Sequence, residues 1–188
     1  WILLYFLVPL LRHQLLDQPN YRSSHAQPTP RGGGVAFVLV ASVASVLALL
    51  FSSSPALAPL ALLSAPLLAL PLALVGLLDD RQNLPATWRF GVQLATALVV
   101  ILLSPLVALS FGLLPLLVLL LIATTAVINF TIFMDGLDGL VAGCMAVAMR
   151  SASSQLAAPC PIWALVGALL GFLLWNWSPA KVFMGDVG

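Results

Sequence analysis

Charge is the scarcest property of this sequence. Only 7% of its 188 residues are charged, and glutamate is absent altogether. A soluble domain usually carries about 25% charged residues, and a chain with so few cannot cover a surface that faces water. The hydrophobic share of 62% and the mean hydropathy of +1.12 indicate that lipid is the solvent. The scarcity of charge therefore excludes an ordinary soluble protein.

Net charge and cysteine are also low. A net charge of +1 gives no electrostatic reason to expect a nucleic-acid partner. Cys144 and Cys160 lie in or beside apolar segments without metal-ligand spacing, so we interpret them as buried thiols.

The sequence starts at Trp1 with a short apolar run and stops at Gly188 within a polar stretch. We therefore expect a segment of a longer chain, truncated at both ends.

The few charged residues fall into four groups separated by apolar stretches of about 42 to 47 residues, each long enough for two spans of about 20 residues and a turn. Turn signals lie within these stretches at Ser52–Pro55, Ser104–Pro105 and Pro159–Pro161. Three helical hairpins would return all four groups to one membrane face. The groups are Arg12, Asp17, Arg22 and Arg31; Asp79, Asp80, Arg81 and Arg89; Asp135 and Asp138; and Lys181 and Asp186.

The sequence thus predicts an all-α, polytopic transmembrane protein in a single domain over 1–188, with about six full spans after a truncated first one. Six of the seven basic residues lie on the common face and only Arg150 lies elsewhere, so the positive-inside rule makes that face cytoplasmic. The predicted spans are 33–52, 57–78, 89–104, 107–128, 139–157 and 161–175. The predicted cytoplasmic loops are about 12–32, 79–88, 129–138 and 176–188.

The acidic residues at three places in the sequence are the candidates for catalysis and binding. Asp79 and Asp80 close an apolar span at a helix C-terminus, where the macrodipole disfavours negative charge, so a cation is needed beside them. An interfacial stop signal is the alternative. Asp135 and Asp138 lie in Asp-Gly pairs, which also suit a turn and a helix cap. Asp186 follows a glycine, which allows either close ligand approach or a simple turn.

The first loop offers a candidate anion site. Arg31 precedes three glycines at the start of a span, and such backbone binds anions, although a flexible loop is equally consistent. His25 alone suggests a solvated loop histidine. Carboxylates and cations on one aqueous face suit Mg²⁺ with substrate phosphates, so we expect a diphosphate substrate. The location at the membrane suits a lipid co-substrate.

The ordered motifs resemble the polyprenyl-phosphate N-acetylhexosamine-1-phosphate transferases, a superfamily that includes the phospho-MurNAc-pentapeptide translocase. The matching stretches occur in family order along nearly the whole chain. They are Pro19–His25 with Thr29–Gly34, Gly76–Asp80, Leu84–Pro85 with Arg89–Phe90 and Gln93, Asn129–Gly139, and Gly171–Gly188.

The resemblance implies an enzyme that transfers HexNAc-1-phosphate from a UDP-sugar such as UDP-GlcNAc to undecaprenyl phosphate, with Mg²⁺ (or Mn²⁺) and release of UMP. It implies catalytic roles for Asp79, Asp80 and Asp186, with Asp186 and Asp79 at the metal. The implied substrate contacts are Asn129, Asp135, Asp138, Phe183 (near the uracil), His25, Arg31 and Arg89.

Where the peptidoglycan translocases have lysines, this sequence has Arg31 with glycines and Asp79-Asp80-Arg81. This difference favours the branch that initiates O-antigen (lipopolysaccharide), enterobacterial common antigen or teichoic acid synthesis in the bacterial inner membrane. The resemblance also implies a later histidine-containing cytoplasmic loop, which we expect beyond Gly188. A transporter with a cytoplasm-facing acidic site is the alternative function. A homodimer and an aspartyl-phosphate intermediate are both left open.

Overall fold

The computed structural model describes residues 1–17, 28–51, 57–103, 114–135, 137–155 and 159–188. Within these ranges the chain forms eight helices and one short antiparallel ladder, in which Leu16–Asp17 (β1) pairs with Thr29–Pro30 (β2). The helices are α1 (Ile2–Gln14), α2 (Val35–Phe51), α3 (Leu57–Leu68), α4 (Leu70–Gln82), α5 (Ala86–Leu102), α6 (Leu114–Met134), α7 (Leu140–Gln155) and α8 (Cys160–Asn176). The prediction of an all-α protein is confirmed.

Two helical stretches are long and apolar enough to cross a membrane within the described ranges, Leu62–Gln82 and Leu114–Met134. Only 22% and 6% of the most apolar 18 residues of these two stretches are buried inside the protein. Such surfaces require a lipid solvent rather than water, so the chain is a membrane protein. The other helices are shorter, and the count of six full spans stays a prediction.

Helix α4 extends further than predicted and includes the acidic pair. The sequence placed Asp79 and Asp80 at the start of a loop, but the helix continues to Gln82 and ends where Asn83 adopts a left-handed conformation with φ 49°. An asparagine tolerates this conformation and so terminates the helix. The macrodipole penalty on Asp79 is offset by a hydrogen bond from the Leu84 N–H and by Arg89.

Helix α6 likewise continues through residues that the sequence assigned to the loop 129–138. Residues 129–134 are helical because their polar side chains find partners without breaking the helix. The Thr131 hydroxyl donates to the Val127 carbonyl one turn back, and the Asn129 amide donates to the Thr125 carbonyl and across to Gln93. Polar groups within a membrane-spanning helix must find their hydrogen-bond partners inside the protein. The predicted start of this span, at 107, lies outside the described residues.

The core lies where α1, α2, α7 and α8 meet. Phe37 of α2 and Phe172 of α8 stack edge to face, with ring centroids 5.6 Å apart. Val182 and Met184 from the C-terminal segment are buried in the same cluster, so that segment is part of the core. Cys144 and Cys160 are both exposed, and the expectation of buried thiols is wrong: helix faces toward lipid are apolar without being covered by protein.

Candidate active site

The segment that carries Asp186 is fixed by backbone pairing with the start of α2. The Phe183 N–H donates to the Pro30 carbonyl over 2.8 Å. The Gly33 and Gly34 N–H groups donate to the Phe183 and Met184 carbonyls, each over 2.9 Å. These bonds occupy the Gly33 and Gly34 amides, so these two amides are not free for an anion, and anion binding at Arg31 stays a prediction. The glycines instead allow the two backbones to pair.

Two glycines let this segment approach the acidic end of α4. A Cβ on Gly76 would collide with the Asp186 carbonyl and would lie 2.7 Å from the Val187 nitrogen. Gly185 has φ +75°, and a Cβ there would collide with Oδ2 of Asp80. Both positions require glycine, because a side chain would push Asp186 away from α4.

Arg89, in the first turn of α5, joins two of the carboxylates. One of its terminal nitrogens donates to Asp79 Oδ2 over 2.7 Å and to Asp186 Oδ2 over 3.2 Å. The other Asp79 oxygen accepts the Leu84 N–H over 2.6 Å. Asp79 is 8% exposed, whereas Asp186 is 26% exposed. Asp79 is therefore an anchored internal group, and Asp186 is the more accessible one.

Asp80 and Asp135 complete the cluster from α4 and from the end of α6. The Asp80 carboxylate accepts backbone N–H groups of Asp186 and Val187, and its Oδ2 is buried with no hydrogen-bond partner among the described residues. Asp135 Oδ2 accepts the Gly185 N–H over 2.8 Å. Four carboxylates from three chain segments thus converge, with Arg89 between two of them.

A second set of polar contacts holds the loop after α8 against the start of α7. Asp138 Oδ2 accepts the Ala180 N–H over 3.1 Å. Asn176, which is 2% exposed, accepts the Gly139 N–H over 3.0 Å and donates to the Val182 carbonyl over 2.9 Å. Asn176 therefore ties the acidic turn after α6 to the segment that leads to Asp186.

Residues 62–188 match the model of glycosyl transferase family 4, and this stretch contains the whole acidic cluster and Arg89. The chain belongs to glycosyl transferase family 4.

Curated relatives in this family include three whose names state different activities. A probable undecaprenyl-phosphate N-acetylglucosaminyl 1-phosphate transferase of Bacillus subtilis (strain 168) is 30% identical, over 92% of this chain and 51% of its own length. A decaprenyl-phosphate N-acetylglucosaminephosphotransferase of Mycolicibacterium smegmatis is 34% identical, over 95% and 50%. A phospho-N-acetylmuramoyl-pentapeptide-transferase of Acaryochloris marina is 34% identical, over 98% and 57%. The resemblance inferred from the motifs is confirmed, and the chain spans about half the length of these relatives.

Two carboxyls of the cluster, those of Asp186 and Asp135, have pKa values raised to near neutral pH. Burial raises the pKa of Asp186 to about 7, and its hydrogen bond with Asp79 and the negative charges of Asp80 and Asp79 add to this against the opposing effect of Arg89. Burial also raises the pKa of Asp135 to about 7; the Gly185 N–H opposes the rise, and the charges of Asp80 and Asp186 add to it. A cation entering the cluster would displace these protons.

The donor set fits a magnesium ion that is shared with a substrate. No group of three or more His, Cys or Asp side chains in the described ranges is arranged to enclose a metal. Mg²⁺ needs only one or two carboxylates when substrate phosphates and water supply the rest. Asp186 is accessible, and the buried Asp80 Oδ2 lacks a partner in the described part of the chain. Asp79 has both oxygens bonded, and its predicted place at the metal stays a prediction.

The structure places the remaining predicted residues in different environments. His25 lies outside the described residues. Arg31 is exposed, and its positive charge acts on Asp80. Phe183 is only 4% exposed, so its ring packs in the core and is not available to stack on a uracil in this arrangement. Asn129 lies inside α6, and its amide N–H groups are taken by Gln93 and Thr125.

Three residues at the site lie in the matching stretches, but the sequence assigned them no function: Gly76, Gln93 and Asn176. Apart from the motifs, each is only a small or polar residue inside an apolar run. A glycine in α4 between Val75 and Leu77, or an asparagine following Trp175, is consistent with many environments. Their partners are distant in sequence, so only the packed structure shows what they do.

Proposed function

We propose that the protein is a membrane glycosyl-1-phosphate transferase that moves HexNAc-1-phosphate from a UDP-sugar to undecaprenyl phosphate. The transferred group is GlcNAc-1-phosphate or the 1-phosphate of a related sugar. The supporting observation is the bridge from Arg89 to Asp79 and Asp186, at the ends of apolar helices in a chain whose relatives are named as polyprenyl-phosphate transferases. The reaction would initiate a cell-envelope glycan at the cytoplasmic face of the bacterial inner membrane.

The chemistry asks little of the protein beyond positioning. An oxygen of the acceptor phosphate forms a bond to the sugar-linked β-phosphorus of the donor, and the bond from that phosphorus to the UMP oxygen breaks. The second pKa of a phosphate monoester is about 6, so the acceptor is already ionised at neutral pH and needs no general base. Positioning and electrostatic stabilisation therefore dominate, as in other phosphoryl transfers.

Each group in the cluster has a defined task in this proposal. Asp186 and Asp80 would hold Mg²⁺, which would offset the charge on the diphosphate oxygens when bound. Arg89 fixes the orientation of Asp79 and Asp186 through its two ion pairs. Asp135 holds the Gly185 backbone, which keeps Asp186 in place.

A one-step transfer is supported over an aspartyl-phosphate route by the contacts of Asp79. Its two oxygens already accept from Leu84 N–H and Arg89, and a nucleophilic carboxylate would have to leave both partners. Incubation with the UDP-sugar alone, followed by mass analysis of the protein, tests this. A chain that gains the mass of HexNAc-1-phosphate in the absence of lipid acceptor would overturn the one-step proposal.

The activity is tested on the protein expressed from its gene, in membranes with undecaprenyl phosphate, Mg²⁺ and a panel of UDP-HexNAc donors. UMP release and the lipid-linked product are followed together. We expect turnover with one donor, its loss on EDTA addition with recovery on excess Mg²⁺, and a decrease of at least about 100-fold in Asp186→Asn and Asp79→Asn. Arg150→Gln is the matched control, because Arg150 lies in α7 about 15 Å along the helix from the acidic turn.

The alternative of a transporter makes the opposite prediction. Folded wild-type protein that releases no UMP with any donor, but moves a solute across sealed vesicles, would replace the transferase proposal with the transporter. Folding is checked in each case by a monodisperse profile in detergent.

A further inference from the structure

Helix α6 carries Asp135 at its end but has few packing contacts. Among its described residues, Thr125 is the buried one, and the helix packs mainly on α5 with a smaller contact to α7. In a bilayer the lipid chains are as apolar as the helix surface, so burial of apolar side chains gives little force to hold α6 on α5. Interhelical hydrogen bonds are then a main source of a fixed position.

One interhelical side-chain hydrogen bond joins α5 to α6 within the described residues. Asn129 Nδ2 donates to Gln93 Oε1 over 2.7 Å and to the Thr125 carbonyl over 2.9 Å. A carbonyl oxygen can only accept, so the contact with Thr125 fixes which end of the Asn129 amide is the nitrogen. The Gln93 atom facing it is therefore the acceptor. Gln93 is 3% exposed, which removes competing water from this bond.

Gln93 lies about one helical turn, and Asn129 less than two turns, from residues of the cluster. Gln93 follows Arg89 by four residues in α5, so the two side chains share a face. Asn129 precedes Asp135 by six residues, about 9 Å along α6. Arg89 lies in the first turn of α5, so a rotation or slide of α5 would carry it away from Asp79 on α4 and Asp186 after α8. The bond from Asn129 to Gln93 opposes such a movement of α5.

We propose that Gln93 and Asn129 are a positioning pair that holds α5 on α6 and so sets Arg89 between Asp79 and Asp186. The inference rests on the proposed transferase function and assigns Asn129 a role other than the predicted nucleotide contact. The pair touches no reacting atom, and its effect on turnover passes through Arg89.

A double-mutant cycle separates this role from general stabilisation. Turnover is measured for Gln93→Leu, for Arg89→Gln and for the double variant, together with the swapped pair Gln93→Asn/Asn129→Gln. We expect Gln93→Leu to lower kcat about 10- to 100-fold and to cost less than about 2-fold when Arg89 is already replaced. The swapped pair keeps one donor, one acceptor and the combined length, and it should recover most of the loss. Thr131→Val is the control, because the Thr131 hydroxyl bonds within its own helix.

Hydrogen exchange gives a readout that does not need activity. In Gln93→Leu the amides of Leu84 and of residues 86–92 should exchange faster, because α5 and Arg89 are less firmly held against Asp79, which accepts the Leu84 N–H, while those of α8 should be unchanged. Equal effects of Gln93→Leu with and without Arg89, or unchanged exchange at Leu84 and 86–92, would overturn the positioning role. A wild-type protein without turnover, combined with faster exchange in the variant, would instead reject the transferase proposal and leave the pair intact.

Discussion

Gly76 offers the sharpest test of the site, because one added methyl group acts directly on the position of Asp186. In Gly76→Ala the new Cβ would collide with the Asp186 carbonyl and would lie 2.7 Å from the Val187 nitrogen, where ordinary contacts are 3.4–4 Å. The backbone of 186–187 must therefore shift on the order of 1 Å. A misplacement of about 1 Å at a reacting centre can cost about 100-fold in rate, so we expect kcat to fall by that order.

The matched controls are Gly91→Ala in α5 and Gly167→Ala in α8, since a Cβ at either position meets nothing within 4 Å. A helical glycine-to-alanine change is otherwise favourable by about 0.5–1 kcal/mol, so both controls should keep wild-type turnover and unfold at or above the wild-type temperature. Overpacking should cost Gly76→Ala about 1–3 kcal/mol of stability, measured by thermal unfolding in detergent. Gly76→Ala with turnover within about 3-fold of wild type would refute the close approach of α4 and Asp186.

Two further predictions follow from buried polar groups. Asn176→Asp replaces the donor that faces the Val182 carbonyl with an acceptor in a fully buried position, so we expect a loss of about 1–3 kcal/mol in thermal unfolding. Asn176→Ala removes the partner of both the Gly139 N–H and the Val182 carbonyl, and it should also lose stability. Equal stability of Asn176→Asp and wild type would contradict the assigned bonds. Because the pKa values of Asp186 and Asp135 are raised to about 7, protons compete with Mg²⁺ below pH 7. The Mg²⁺ concentration for half-maximal UMP release should therefore fall as pH rises from 6 to 8, by about 10-fold per pH unit below pH 7 for each proton displaced, and a flat profile would count against metal binding at Asp186.

The helical class and the residues of the cluster could be predicted from the sequence because both depend on patterns of neighbouring residues along the chain. Apolar runs separated by charged groups predict membrane helices, and paired carboxylates such as Asp79 and Asp80 are visible as motifs. The helix ends were less accurate: α4 and α6 both continue into predicted loops. Side chains such as Asn129 can be satisfied by a neighbouring helix, and a single sequence does not show that neighbour.

The sequence by itself therefore determined the solvent, the helical class and the set of carboxylates, since these depend on composition and on the length of apolar runs. Only the tertiary structure decided which groups meet. Arg89 contacts Asp79 and also Asp186, which is 97 residues further along the chain; Gly33 and Gly34 pair with the backbone of the C-terminal segment; and Phe183 is buried. Hydrogen bonds and close contacts are short-range, so their partners are set by how the helices pack and not by spacing along the chain.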